Sequence, residues 1–138
     1  MTADRSTDPA YGFTRHLAGV PFDEARARIT AALKEEGFGV LTEIDVKATL
    51  KTKLDVDVEP YVILGACNPQ LAHRALQSEP GIGLLLPCNV ALWAEDGGTV
   101  VSIAKPTAMF EIVGRDDVRP IAEDAEARLR RALDRLGP

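Results

Sequence analysis

Tyr61-Val62-Ile63-Leu64-Gly65-Ala66-Cys67-Asn68-Pro69-Gln70-Leu71-Ala72-His73-Arg74-Ala75-Leu76 reads as a buried strand, a sharp turn and a helix. Tyr61 to Leu64 is a short apolar run rich in β-formers, introduced by Pro60 and closed by Gly65, as expected of a central strand. Asn68-Pro69 is a helix start. The asparagine side chain can accept from the free backbone N–H groups of the first turn, and proline at the first helical position gives up no needed donor. Leu71, Ala72, Ala75 and Leu76 share one helix face, leaving Gln70, His73, Arg74 and Gln77 on the other. Cys67 stands just before the cap, where the positive end of the helix dipole favours a thiolate or a bound anion. Any site is expected here first.

Upstream of this stretch, Tyr11 to Leu17 alternates as a strand does, and Gly19-Val20-Pro21 breaks it. Phe22, Ala25, Ile29, Ala32 and Leu33 predict a helix over Phe22–Glu36 that Gly37 terminates. Phe38–Ile44 predicts a strand. Asp45 then caps a short helix with Val46, Leu50 and Leu54 on one face and Lys47 and Lys51 on another. Downstream, Glu79 to Gly83 is a turn and Gly83-Leu84-Leu85-Leu86-Pro87 an apolar run between breakers. Cys88–Ala94 and Thr99–Ala104 flank Asp96-Gly97-Gly98 as a hairpin. Pro106–Arg115 is ambiguous, with Phe110, Ile112 and Val113 able to form a short edge strand. Pro120–Leu136 is a closing helix with Ile121, Ala125, Leu129, Ala132, Leu133 and Leu136 inward.

These elements imply an α/β (α+β) fold, a single two-layer domain over residues 11–138 with a sheet packed by helices and small inserted helices. Residues 1–10 are expected to be a flexible N-terminal tail. Strand order does not follow from the pattern.

Composition narrows the function classes. The chain has 138 residues and a formal net charge of −5, with no basic stripe carrying interleaved aromatics, so nucleic acid is not an expected partner. No apolar run approaches the ~20 residues of a membrane span, and the N-terminus lacks the apolar segment of a signal peptide. A cytoplasmic location is the expectation, with Cys67 and Cys88 as reduced thiols.

The chemistry-bearing residues leave two readings. In the first, a homodimeric module binds a small molecule, such as a small anion, near Cys67-Asn68-Pro69, with His73, Lys47 and Lys51 as further ligand-binding candidates. In the second, Cys67 is the catalytic thiol of an enzyme or redox protein. His73 is the only base in this region, yet it lies beyond the first helical turn while Cys67 precedes the helix. Cys67 and Cys88 are spaced unlike Cys-x-x-Cys, so no metal and no cofactor is expected. The two thiols can meet only if their strands run antiparallel. No phosphate-binding glycine loop, Gly-x-Ser-x-Gly or His-Glu-x-x-His is present.

Gly37-Phe38-Gly39-Val40, Ile44-Asp45-Val46-Lys47-Ala48-Thr49-Leu50, Pro60 through Pro69 and Gly83 through Val90 together resemble the pattern of the domain of unknown function 302 family, from about Phe13 to Leu136. The resemblance implies a β-α-β(4)-α fold and a homodimer, and no established activity. It also implies that Cys67 and Cys88 are typical of the family, without a role. The leucines of Gly83–Pro87 are expected at or near the subunit interface, because alternating side chains of an extended run cannot all enter one core.

Overall fold

Cys88–Glu95 (β4) and Gly98–Ala104 (β5) form the expected hairpin, and Asp96 and Gly97 at its turn take φ of 51° and 74°. Those positive values match the twist that a tight hairpin demands. Around this hairpin the computed structural model, which describes residues 8–137, builds one antiparallel sheet. Its other strands are β1 (Gly12–Leu17), β2 (Gly39–Asp45) and β3 (Tyr61–Cys67), in the order β1-β5-β4-β3-β2. The helices are α1 (Phe22–Glu35), α2 (Val46–Leu54), α3 (Pro69–Ser78), α4 (Pro106–Glu111) and α5 (Arg119–Asp134), with a 3₁₀ turn at Pro80–Leu85. The architecture is the expected α+β single domain, a β-α-β(4)-α core with inserted helices. Residues 1–7 of the expected tail lie outside the described residues. Asp8 and Pro9 are tied to the start of β1, through Thr14 N to Asp8 Oδ1 (3.0 Å) and Gly12 N to Pro9 O (3.2 Å).

One sheet face carries the core. Phe13, Ile103, Val90 and Leu64 lie side by side across four strands, followed by the row Val101, Leu92 and Val62. Ile29 and Leu33 of α1, Leu71 and Ala75 of α3, and Ile121, Leu129 and Leu133 of α5 close over these rows. Burying side chains of this kind stabilises by roughly 1.5–3 kcal/mol each relative to exposure. The opposite face lacks such a helical layer and is mixed, with Thr14, His16 and Ser102 on its β1–β5 side and apolar residues on its β3–β4 side. Tyr61 and Trp93 stack there with ring centroids 5.5 Å apart, beside half-buried Ile63 and Ala91. Val100 on this face is 0% exposed yet belongs to no part of the helix-covered core.

Several boundaries differ from the sequence reading, each for a tertiary reason. The Tyr61 strand is second from the edge, because β4 takes the central place. It also runs on through Gly65 to Cys67. A Cβ at Gly65 would stand 2.2 Å from Thr42 Oγ1 and 2.7 Å from Pro87 Cγ, so the bare glycine lets its neighbours close in and pairing continue. The region of Phe110, Ile112 and Val113 adds no edge strand: β5 is flanked on both sides by β1 and β4, and Pro106 starts a short helix that buries Phe110. Leu50 and Leu54 of α2 are not buried, since this helix extends from the edge pair β2–β3. The Gly83–Pro87 run is not extended. Its Leu84 is 92% exposed at the 3₁₀ turn, whereas Leu85 and Leu86 pack against the chain's own core.

The helical layer is pinned by a buried carboxylate that the sequence reading passed over. Glu36, just past α1, accepts from Arg131 Nε at 3.0 Å and from an Arg135 Nη at 3.1 Å, while Arg128 reaches its backbone oxygen. The i, i+3, i+7 spacing of these arginines along one face of the last helix was the available signal. Burial by itself would raise the Glu36 carboxyl pKa, but the hydrogen bonds from Arg135 and Arg131 outweigh it and hold the group below its ordinary 4.5. The stabilisation is complete above the unfolded value and is lost as pH falls through the lower folded value. Glu36→Gln should therefore cost about 1–2 kcal/mol near neutral pH, the arginines being half exposed, and less in acid. Urea midpoints of wild type and variant at neutral and acid pH check this. An equal gap at both would refute the ionic anchor.

Candidate functional site

The end of β3 and the start of α3 meet where the sequence directs attention. Asn68 Oδ1 accepts from Leu71 N at 3.1 Å, the expected N-cap, and Pro69 occupies the first helical turn. The cap is itself enclosed: Asn68 is only 9% exposed, and a Cβ at Gly37 would come within 2.9 Å of its Nδ2. Gly37 has φ of 86°, so both its conformation and this close approach require glycine. The turn after α1 and the cap of α3 thus form one packed corner.

The antiparallel pairing of β3 with β4 sets Ala66 opposite Cys88, which brings Cys67 and Cys88 to the same sheet end. Both cysteines, with Asn68, line a half-open pocket of about 30 Å³ that Phe38, Leu71, Leu86 and Phe110 also line. That volume suits a single water-sized or atomic occupant. Burial pushes the Cys67 thiol pKa up. Burial and, secondarily, the nearby charge of Cys67 push Cys88 up to about 11. The pull of the helix N-terminus toward a thiolate is overcome by desolvation.

The other candidate residues do not gather at this corner. His73 is exposed on the outer side of α3, and Leu76, expected in the inward stripe, is 39% exposed. Lys47 and Lys51 lie on α2, which joins the opposite end of β3, about 20 Å away along the strand. Lys51 Nζ is engaged there by Asp55 at 3.0 Å and Asp57 at 3.3 Å. The sequence could not place them, because the direction of β3 relative to α2 is a property of the assembled sheet.

Alongside the corner runs a feature absent from the sequence reading. An open groove of about 930 Å³ lies between α1 and the edge strand β2 and ends at Pro69. Ala27, Ala31, Phe38 and Val40 give it an apolar floor. On its rim Arg26 pairs with Asp23 at 3.1 Å and Glu43 at 3.2 Å, whereas Lys34 has no ion-pair partner among the described residues. Helical spacing gave α1 an outer polar face, and the edge strand β2, whose register shifts between Val40 and Thr42, stands opposite it as the second wall.

These features sit in a fold with a name. Residues 13–136 match the family described as Domain of unknown function DUF302, and the chain belongs to it. A solved structure, that of an uncharacterized conserved protein DUF302 from Bacillus stearothermophilus, is similar to this chain with a TM-score of 0.84 and 35% sequence identity. The match covers 92% of this chain and 98% of that one. No curated protein matches the sequence. No helix of the described residues is long and apolar enough to cross a membrane.

The burial of the two thiols carries a direct expectation. Since thiolate is the reacting form, both should label with iodoacetamide more slowly than free cysteine near neutral pH, Cys88 slowest. Labelling of single Cys→Ser variants across pH checks this. A Cys67 that reacts faster than free cysteine would restore the activated thiolate.

Proposed function

We propose that the protein is a homodimeric binding module for a small molecule with an apolar body and an anionic group. The ligand is held in the groove between α1 and β2 at its Asn68-Pro69 end. The groove itself carries this reading. Its volume of about 930 Å³ falls in the range of small-molecule sites, and its floor is apolar. Lys34 is the rim cation without an ion-pair partner among the described residues, while Arg26 is shared between Asp23 and Glu43, and an anionic ligand group would pair with Lys34. The alternative, a thiol-dependent enzyme or redox protein using Cys67, has less support, because burial disfavours the thiolate and His73 is turned to solvent. With 2-naphthoate as probe, amide resonances of residues 27–40 should shift on titration. Ala31→Trp, which fills the groove, and Lys34→Glu should each weaken binding about tenfold or more. No shift in this region, or equal affinity in both variants, would remove the reading.

The dimer rests on the uncovered sheet face. Tyr61, Trp93, Ile63 and Ala91 are half-buried in the single chain, and Ile44 is 50% exposed beside them. A contiguous apolar face of this kind usually marks an interface, and a closed two-fold pair is the commonest way to cover it. Sedimentation equilibrium at micromolar concentration should give a dimer, and Trp93→Glu should give a folded monomer. A monomeric wild type defeats the proposal, and a dimeric Trp93→Glu moves the interface elsewhere, with exposed Leu84 the next place to look.

A further inference from the structure

At the β1 edge of the sheet, the outward N–H of Thr14 is taken up by Asp8 Oδ1 at 3.0 Å. The β2 edge has no such cover. Among the described residues, no main-chain group of residues 39–44 is hydrogen-bonded outside the pairing with β3. Apart from half-buried Val40, every residue of β2 is exposed, Leu41 at 67% and Ile44 at 50%. A bare strand edge is a row of donors and acceptors at a spacing that another extended backbone matches.

This edge opens into the groove between α1 and β2, so a strand added to it would lie with one face against Ala27, Ala31 and Val40. From Asp23 to Lys34 the α1 wall is about 16 Å long, the length of about five extended residues. The two ends of the groove differ in charge. Lys34, without an ion-pair partner among the described residues, stands at the Pro69 end, where α1 finishes and β2 begins. Asp23 and Glu43 mark the other end, where they share Arg26.

We infer that the ligand of this groove is an extended peptide segment of another protein, added antiparallel to β2 as a sixth strand. Its small apolar side chains rest on the groove floor, with a basic residue at its N-terminal end and an acidic one at its C-terminal end. Antiparallel addition, the arrangement of every other pair in the sheet, puts the acidic end beside Gly39 and Lys34. The reverse direction would bring that end to Asp23 and Glu43. A second copy of this chain fits less well. A two-fold β2 pair would set one irregular register against its rigid double, whereas a peptide is pliable enough to follow it. The inference rests on the reading of the groove as the binding site and gives its apolar, anionic ligand a backbone.

The test uses the full chain and the peptide acetyl-Lys-Thr-Val-Thr-Val-Thr-Glu-amide, with 2-naphthoate alongside. The peptide should shift amide resonances across residues 27–45 and slow hydrogen exchange of the β2 amides that point away from β3 at least about tenfold. Naphthoate should shift residues 27–40 without that slowing. Methylating the peptide nitrogens at one alternate set of positions should weaken binding at least about tenfold, and at the other set leave it within about twofold. Lys34→Glu should weaken the peptide about tenfold, and a peptide ending in Lys instead of Glu should recover that loss. Binding of naphthoate without the peptide would overturn strand addition and leave the groove reading standing, whereas failure of both probes removes the two together. Equal loss from both methylated sets would also overturn it, as would β2 amides protected in the free protein in a concentration-dependent way, the mark of a second copy on the edge.

Discussion

The antiparallel pairing of β3 with β2 on one side and β4 on the other is the constraint from which the rest of this molecule follows. Because β3 enters from α2 and leaves into α3, that pairing sends the two helices to opposite ends of the sheet. It also sets Ala66 against Cys88 and Gly39 against Cys67, so that three chain segments meet at one corner. Gly65 is what allows so close a meeting. With Thr42 and Pro87 occupying the space of its missing side chain, any larger residue would force the strands apart.

A second constraint acts on the helical layer. The helices α1, α3 and α5 share one face of the sheet, and α5 bridges the other two. Apolar contacts alone leave such helices some freedom to slide. The carboxylate of Glu36, held by Arg131 and Arg135, fixes α5 against the end of α1. Arg15, on the core face of the edge strand β1, holds the same C-terminal end of α5 from another side, through Asp134 at 2.8 Å and Gly137 O at 2.6 Å. Arg130 lies over the Phe13 ring at 4.5 Å between them. Charged groups here work at the borders of the core, where their heads remain partly solvated and the desolvation cost is moderate.

The site combines two environments that differ in kind. The groove is open and large, walled by an exposed helix face and an edge strand, and suits a molecule that arrives from solvent. The corner beneath it is small and apolar, walled by strand ends, and its Asn68 side chain is committed to capping α3. The same residues, Gly37, Phe38 and the Asn68-Pro69 step, separate the two.

Local rules made much of this legible from the chain alone. Asn68-Pro69 announces its helix because capping and the fixed φ of proline act within a few residues, and Asp96-Gly97 announces the hairpin for the same reason. The long helices are readable from their stripes, since a one-sided apolar face must be buried whatever covers it. Tertiary structure alone decided the strand order, and with it which residues are neighbours. Lys47 and Lys51 were separated from Asn68 by the direction of β3, and Cys67 was brought to Cys88 by the antiparallel pairing. The Phe110 segment became helix because β5 had no free edge. The thiols show the same division most sharply. A helix N-terminus is a sequence-local reason for a thiolate, but desolvation depends on what packs around the sulfur, and Phe38, Leu71, Leu86 and Phe110 are assembled there from four separate parts of the chain.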